Sequence, residues 1–325
     1  MNGARRAFAG AALAITLTAT GGVAASAHGG SHGHKAPATK VFTLAPDPAA
    51  NPEGIAVDSR TKQFFVSITG DGAIYSGMLG NPTVSPFIAG EPGGSAVGLK
   101  VRKGKLYVAG GGTGLIKVYD LTTKALVASF DTGAGGFLND LVVTGKGDVF
   151  VTDSFRPMLW HVTAAQVAAG TGAPQGLDVS ASIPFTAGAF NLNGIVSKDR
   201  HTLILVQTNT GQLWNVKLNK TNDAIRKIKE ITGVSLPGGD GMILDRGQLV
   251  VVQGDPAQLH FVKLRHGARK ARDAGTQTSD TLHGPSTVAR DGKFYLVVNA
   301  DFANSALPFT VSALPRGNGH HGHGH

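Results

Sequence analysis

One unit recurs six times between residues 40 and 315: a two-residue anchor, an apolar run, a turn, a second apolar run, a further turn and a third apolar run. The anchors are Glu53-Gly54, Val97-Gly98, Asn139-Asp140, Asn193-Gly194, Asp240-Gly241 and Pro285-Ser286, separated by 44, 42, 54, 47 and 45 residues. In the fourth unit the runs read Ile195-Val196, Leu203-Ile204-Leu205-Val206 and Leu213-Trp214-Asn215-Val216, short and rich in residues that favour strands. Such a period is the length of a four-stranded antiparallel sheet with its turns. One such sheet cannot bury both of its faces, whereas six packed radially bury one another. The expected fold is therefore all-β, a six-bladed β-propeller of four-stranded antiparallel blades. Lys40–Leu44 has no place in the first unit and is expected to close the ring as an extra strand in the last blade. The long third interval is accounted for by a short helix over residues 163–169. A β-sandwich is the alternative, because it also uses short, regularly spaced strands.

Composition narrows the chemistry. The 325 residues contain no cysteine, which excludes disulfides, a thiol nucleophile and Cys-ligated metal centres, so any metal takes oxygen or nitrogen ligands. Forty-six glycines without a collagen period read as many tight turns. The net charge of +9 is diffuse. Its one dense cluster, Lys263, Arg265, His266, Arg269, Lys270 and Arg272, lacks the interleaved aromatics of a nucleic-acid surface and reads as a solvated hairpin loop. Nucleic acid is not an expected partner.

Residues 1–27 have the parts of a secretory signal: Arg5-Arg6, an apolar run from Ala7 to Thr18, and the small-residue exit Ala25-Ser26-Ala27. Cleavage is expected after Ala27, by a Sec or twin-arginine route, giving a secreted or extracytoplasmic protein. The run is too short to span a bilayer, and no membrane span is expected. Residues 28–39 and 316–325 are His- and Gly-rich tails flanking the repeat region 40–315, able to bind Zn, Cu or Ni loosely or to have no role.

Register points to the functional site. In a propeller the first strand of each blade lines the central channel, so the anchor positions ring its mouth. They are Glu53, Val97, Asn139, Asn193, Asp240 and Pro285, four of them oxygen-bearing. Two carboxylates and two amides converging with no Lys or Arg in the ring resist desolvation unless a cation sits between them. Hard oxygen donors favour Ca²⁺, with Mg²⁺, Mn²⁺ or Zn²⁺ as alternatives. The competing reading is that Asn and Asp before Gly are simply turn residues.

The motifs Pro52-Glu53-Gly54, Phe137-Leu138-Asn139-Asp140, Leu192-Asn193-Gly194-Ile195 and Gly239-Asp240-Gly241-Met242 resemble those of the SMP-30/gluconolactonase/LRE-like propeller family. The resemblance spans residues 40–315. It implies one divalent metal held by Glu53, Asn193 and Asp240, with Asn139 on the substrate side and Asp240 as the catalytic base of lactone hydrolysis. Phe137 departs from it: sugar-lactone hydrolases of the family often carry an arginine there, so its replacement points to a more apolar lactone or ester. Asp153-Ser154, Gln207, Asn209 and Asn299 end second-strand runs, where turn chemistry competes with a role in the cavity.

Two functions follow. The first is an exported metal-dependent hydrolase of a lactone or ester. The second is a non-enzymatic propeller that binds an extracellular ligand or partner, with the metal serving structure. Metal or redox chemistry through the His-rich tails is a weaker third, and a monomer is expected.

Overall fold

The computed structural model describes residues 37–317; the expected signal segment, its cleavage point and nearly all of both His-rich tails lie outside them. The architecture is all-β. Strand β1 (Lys40–Leu44) is followed by a first sheet of β2 (Pro52–Val57), β3 (Gln63–Ile68), β4 (Ile74–Met78) and β5 (Asn81–Ile88). The second comprises β6 (Leu99–Arg102), β7 (Lys105–Ala109), β8 (Leu115–Asp120) and β9 (Leu126–Asp131). The third comprises β10 (Leu138–Val143), β11 (Val149–Asp153), β12 (Met158–Val162) and β13 (Gln175–Asp178), with helix α1 (Ala164–Ala169) between its last two strands. The fourth comprises β14 (Leu192–Asp199), β15 (Thr202–Gln207), β16 (Gln212–Leu218) and β17 (Ile225–Ile231). The fifth comprises β18 (Gly239–Asp245), β19 (Gln248–Gln253), β20 (Gln258–Arg265) and β21 (Lys270–Gln277). The last repeat supplies β22 (Pro285–Asp291), β23 (Phe294–Asn299) and β24 (Thr310–Pro315).

Within each unit the strands pair antiparallel in chain order. The N-terminal strand β1 is the fourth strand of the last unit, antiparallel to β24, and it also pairs in parallel with β5. The first and last units are thereby one eight-stranded hydrogen-bonded sheet, while the other four sheets are separate. The first strands touch in sequence, β2 to β6, β10, β14, β18 and β22, and β22 returns to β2.

Burial follows position in the unit. Second strands such as β15 (TLILVQ) have packed neighbours on both faces and are buried throughout, so they read as unbroken apolar runs. In the four separate sheets the fourth strands are edges: β17 (IRKIKEI) buries only Ile231 fully and turns Arg and Lys outward, which blunts pairing with other chains. An apolar cluster fills each junction between successive sheets. Phe130, Leu141 and Val151 join the second to the third, and Phe42, Phe64 and Leu296 join the last to the first. The short helix forms where Thr163 caps it, its hydroxyl accepting from Gln166 N while Gln166 reaches back, and Gly170 ends it in a left-handed conformation. The basic cluster forms the β20–β21 hairpin, as expected.

Candidate functional site at the ends of the first strands

Five of the six anchors lie inside their strands, and only Val97-Gly98 lies ahead of its own, β6. Glu53-Gly54, Asn139-Asp140, Asn193-Gly194 and Asp240-Gly241 fall in β2, β10, β14 and β18, and in each the pairing register shifts across the anchor. Such a bulge re-aims a side chain that a regular ladder would hold over the sheet. The turn reading is thereby overturned: Gly54, Gly194 and Gly241 have no positive φ. Glycine is required because the next sheet comes so close. A Cβ on Gly54 would strike Val97 O, one on Gly98 would strike Asn139 O, and one on Gly194 would strike Asp240 O.

Hydroxyls stitch the same junctions. Ser67 donates to Val97 O (2.5 Å), Thr152 to Asn193 O (2.6 Å) and Ser286 to Glu53 O (2.7 Å). The backbone of each of these anchors is thus fixed by an adjoining sheet while its side chain remains available.

Glu53, Asn139 and Asn193 are buried, and Asp240 is half-buried. Each of the four keeps one sealed oxygen without a partner: Glu53 Oε2, Asn139 Oδ1, Asn193 Oδ1 and Asp240 Oδ1. An orphaned buried acceptor costs about 1–3 kcal/mol, and here four stand at one register position of four sheets. Asn139 Nδ2 is already committed to Ser154 Oγ (3.0 Å), and Glu53 Oε1 has only a long contact from Thr287 Oγ1 (3.4 Å).

The carboxyls feel one another. Burial pushes Glu53 well above the usual carboxylate range, and the charges of Asp240 and Asp140 push it further, against Lys100. Burial, with the Asp140 charge, raises Asp240 from 3.8 to about 7, although the amide of Asn193 and the backbone of Gly241 oppose it.

Sequence reasoning missed two participants. Asp140 stands where four other anchors have glycine, and that break in pattern was the available signal. It is buried, its Oδ1 accepting from Lys100 Nζ and Leu141 N at 2.7 and 2.8 Å. Lys100 corrects the expectation that no compensating cation serves the anchors: its ammonium reaches from β6 to Asp140. Even so, three carboxyls face one ammonium.

The second-strand termini take structural roles. Asp153 accepts from the backbone N–H groups of Phe137, Phe155 and Arg156. Gln207 donates to Pro184 O and accepts from Trp214 Nε1, and Asn299 donates to Thr281 O and Ser312 Oγ. Asn209 is exposed and donates to Asn191 Oδ1. Among the described residues no three His, Cys, Asp or Glu side chains cluster tightly enough to hold a metal unaided, so a cation here depends on the asparagine oxygens.

No protein-family model matches the chain. No curated protein matches it in sequence. Solved structures do match. A gluconolactonase from Xanthomonas campestris is 17% identical with a TM-score of 0.60, over 85% of this chain and 89% of that one. A calcium-binding protein, regucalcin from Agrobacterium tumefaciens, is 15% identical with a TM-score of 0.61, over 82% and 91%. A luciferin-regenerating enzyme is 13% identical with a TM-score of 0.60, over 87% and 96%. At these identities the likeness establishes the fold, and the chain has the propeller fold of the SMP-30/gluconolactonase/LRE-like proteins that its anchor motifs resemble.

Proposed function

We propose that the chain is a six-bladed propeller whose channel mouth holds one divalent cation and hydrolyses a lactone or ester. The observation that carries this reading is the orphaned oxygen on each of Glu53, Asn193 and Asp240, since a cation satisfies at once acceptors that no donor reaches. Glu53, Asn193 and Asp240 would hold it, with calcium the ion best suited to two carboxyl oxygens and one amide oxygen. A bound cation supplies Lewis acidity toward a carbonyl and lowers the pKa of water.

The chain's own residues do the rest. Asp240, ionised once the cation has displaced its proton, takes a proton from the attacking water and returns it to the leaving alkoxide. Asn139 is held by Ser154, on the strand beside that of Asn193, and lines the substrate side. Lys100 stays on Asp140, limiting the negative charge beside Glu53. The names of the solved relatives, gluconolactonase and calcium-binding regucalcin, agree with this chemistry.

The test is turnover of a panel of lactones and esters with calcium, by the wild type and by Asp240→Ala, with circular dichroism monitoring the fold. Turnover lost in a folded variant is expected. Turnover that survives the substitution, or none in the wild type beside normal calcium binding, removes the hydrolase reading in favour of a ligand-binding propeller.

A further inference from the structure

Three phenylalanines stand together at the anchor end of the third and fourth units. Phe137 lies two residues before Asn139, Phe155 follows Ser154, and Phe190 precedes Asn191. Their ring centroids are 5.0 to 5.6 Å apart in tilted and edge-on arrangements. Phe155 and Phe190 are 44% and 46% exposed, and Phe137 is half-buried. Register puts them at the site's end of the molecule. Leu138 pairs with Asp153 and Leu192 with Gln207, so the loops beyond β11 and ahead of β14 emerge where Asn139 and Asn193 sit.

The trio is built rather than incidental. Asp153 Oδ1 binds the N–H groups of Phe137, Phe155 and Arg156 at 2.9, 3.1 and 3.0 Å, fixing two of the three backbones from one buried carboxylate. Its Oδ2 holds Arg156 Nε and Trp160 Nε1. The guanidinium lies over the Trp160 ring and also donates to Thr132, Gly133 and Ala134 carbonyls, so it offers no free charge. On the other loop, Asn191 donates to Ser154 O, Thr186 O and Ala189 O, which locks the backbone next to Phe190. Rigid aromatic rings left exposed do not hold the fold together. They are a surface ready to bury apolar area without losing conformational entropy.

We propose that Phe137, Phe155 and Phe190 form an apolar subsite that receives the substituent of the substrate, so the substrate class is a neutral lactone or ester bearing an aryl or alkyl group rather than a polyhydroxylated sugar lactone. The rings offer faces and edges but no hydrogen-bond partner, so a sugar's hydroxyls would be desolvated there without compensation. This assignment rests on the hydrolase reading above.

The test combines kinetics with binding of a ligand that cannot turn over. Rates for unsubstituted, butyl- and phenyl-substituted γ-lactones and for gluconolactone are compared between wild type and Phe155→Ser/Phe190→Ser. Exposed positions tolerate this change, and Phe155→Leu keeps apolar bulk as a second variant. Calorimetry with 5-phenylpyrrolidin-2-one, a lactam, is run on both proteins and on Asp240→Asn. The wild type should prefer the phenyl lactone to the unsubstituted one by about tenfold or more. That ratio should collapse in the double variant and recover in part in Phe155→Leu. Lactam binding should weaken about tenfold in the double variant and persist in Asp240→Asn. Lactam binding that depends on the phenylalanines with no lactone turned over would keep the subsite and remove the hydrolase. Turnover with gluconolactone preferred, or lactam binding absent or unchanged in the double variant, would overturn the subsite whatever happens to activity.

Discussion

Asp240 is held near pH 7 by burial and by Asp140, far above the 3.8 of a carboxyl in water. Raised in the folded state, its protonation stabilises the cation-free protein fully below pH 4, and that contribution is lost as the pH climbs through about 7. Glu53 shifts the same way. Thermal unfolding without a divalent cation should therefore show a melting temperature that falls across this window. Saturating calcium should reverse the trend, since binding displaces the protons. A profile that is flat in both conditions contradicts the coupling. Lys100 is tested at the same scale: Lys100→Met leaves Asp140 buried without its cation and should destabilise by roughly 3 kcal/mol, measured by urea unfolding, whereas Lys100→Met with Asp140→Gly should recover most of the loss. Glu53, Asn139, Asn193 and Asp240 were legible in the sequence because they recur at one register position. Asp140 and Lys100 were not, because their pairing crosses from one sheet to the next and no repeat period encodes a side chain's reach.

At the scale of the strand, two devices recur. A ring N–H or nitrogen seven residues on meets the last residue of the second strand: Trp160 with Asp153, Trp214 with Gln207 and His260 with Gln253. The anchor glycines let neighbouring first strands meet backbone to backbone. Gly194→Ala should accordingly cost about 2–3 kcal/mol through overpacking, while Gly145→Ala, whose Cβ meets nothing within 4 Å, should change stability by less than about 1 kcal/mol. Urea midpoints of the two variants give the comparison, and equal effects would refute close approach as the reason for these glycines. The apolar runs made the strands legible, and the extra length of the third interval with the segment 163–169 made the helix legible. The bulges were not legible, since a one-residue register shift depends on which partner strand is opposite. The loop positions of Phe155 and Phe190 likewise follow from no repeat.

For the whole molecule, the fold depends on the last unit meeting both neighbours. On one side β1 pairs with β24 and β5. On the other, Asp245 at the end of β18 accepts from Tyr295, Arg290 and Arg316, which lie in or just beyond the last unit. Burial works against the ionised Asp245, but the Tyr295, Arg316 and Arg290 bonds together bring its carboxyl below 3.8. Lowered in the folded state, it contributes stability above the ordinary carboxylate range that is lost as the pH falls through its own, lower value. Asp245→Asn should cost roughly 3 kcal/mol at neutral pH by leaving Arg316 buried and unpaired, with the difference from wild type shrinking in acid unfolding. A difference that grows in acid would contradict this.

The central claim is that Glu53, Asn193 and Asp240 hold one hard cation. Calcium titration of the full chain by calorimetry tests it most directly, because oxygen-seeking calcium passes over imidazole-rich tails. The account predicts one calcium per chain, bound with proton release, and no binding in Glu53→Gln/Asp240→Asn. No heat in the wild type, or the same heat in the double variant, would contradict it.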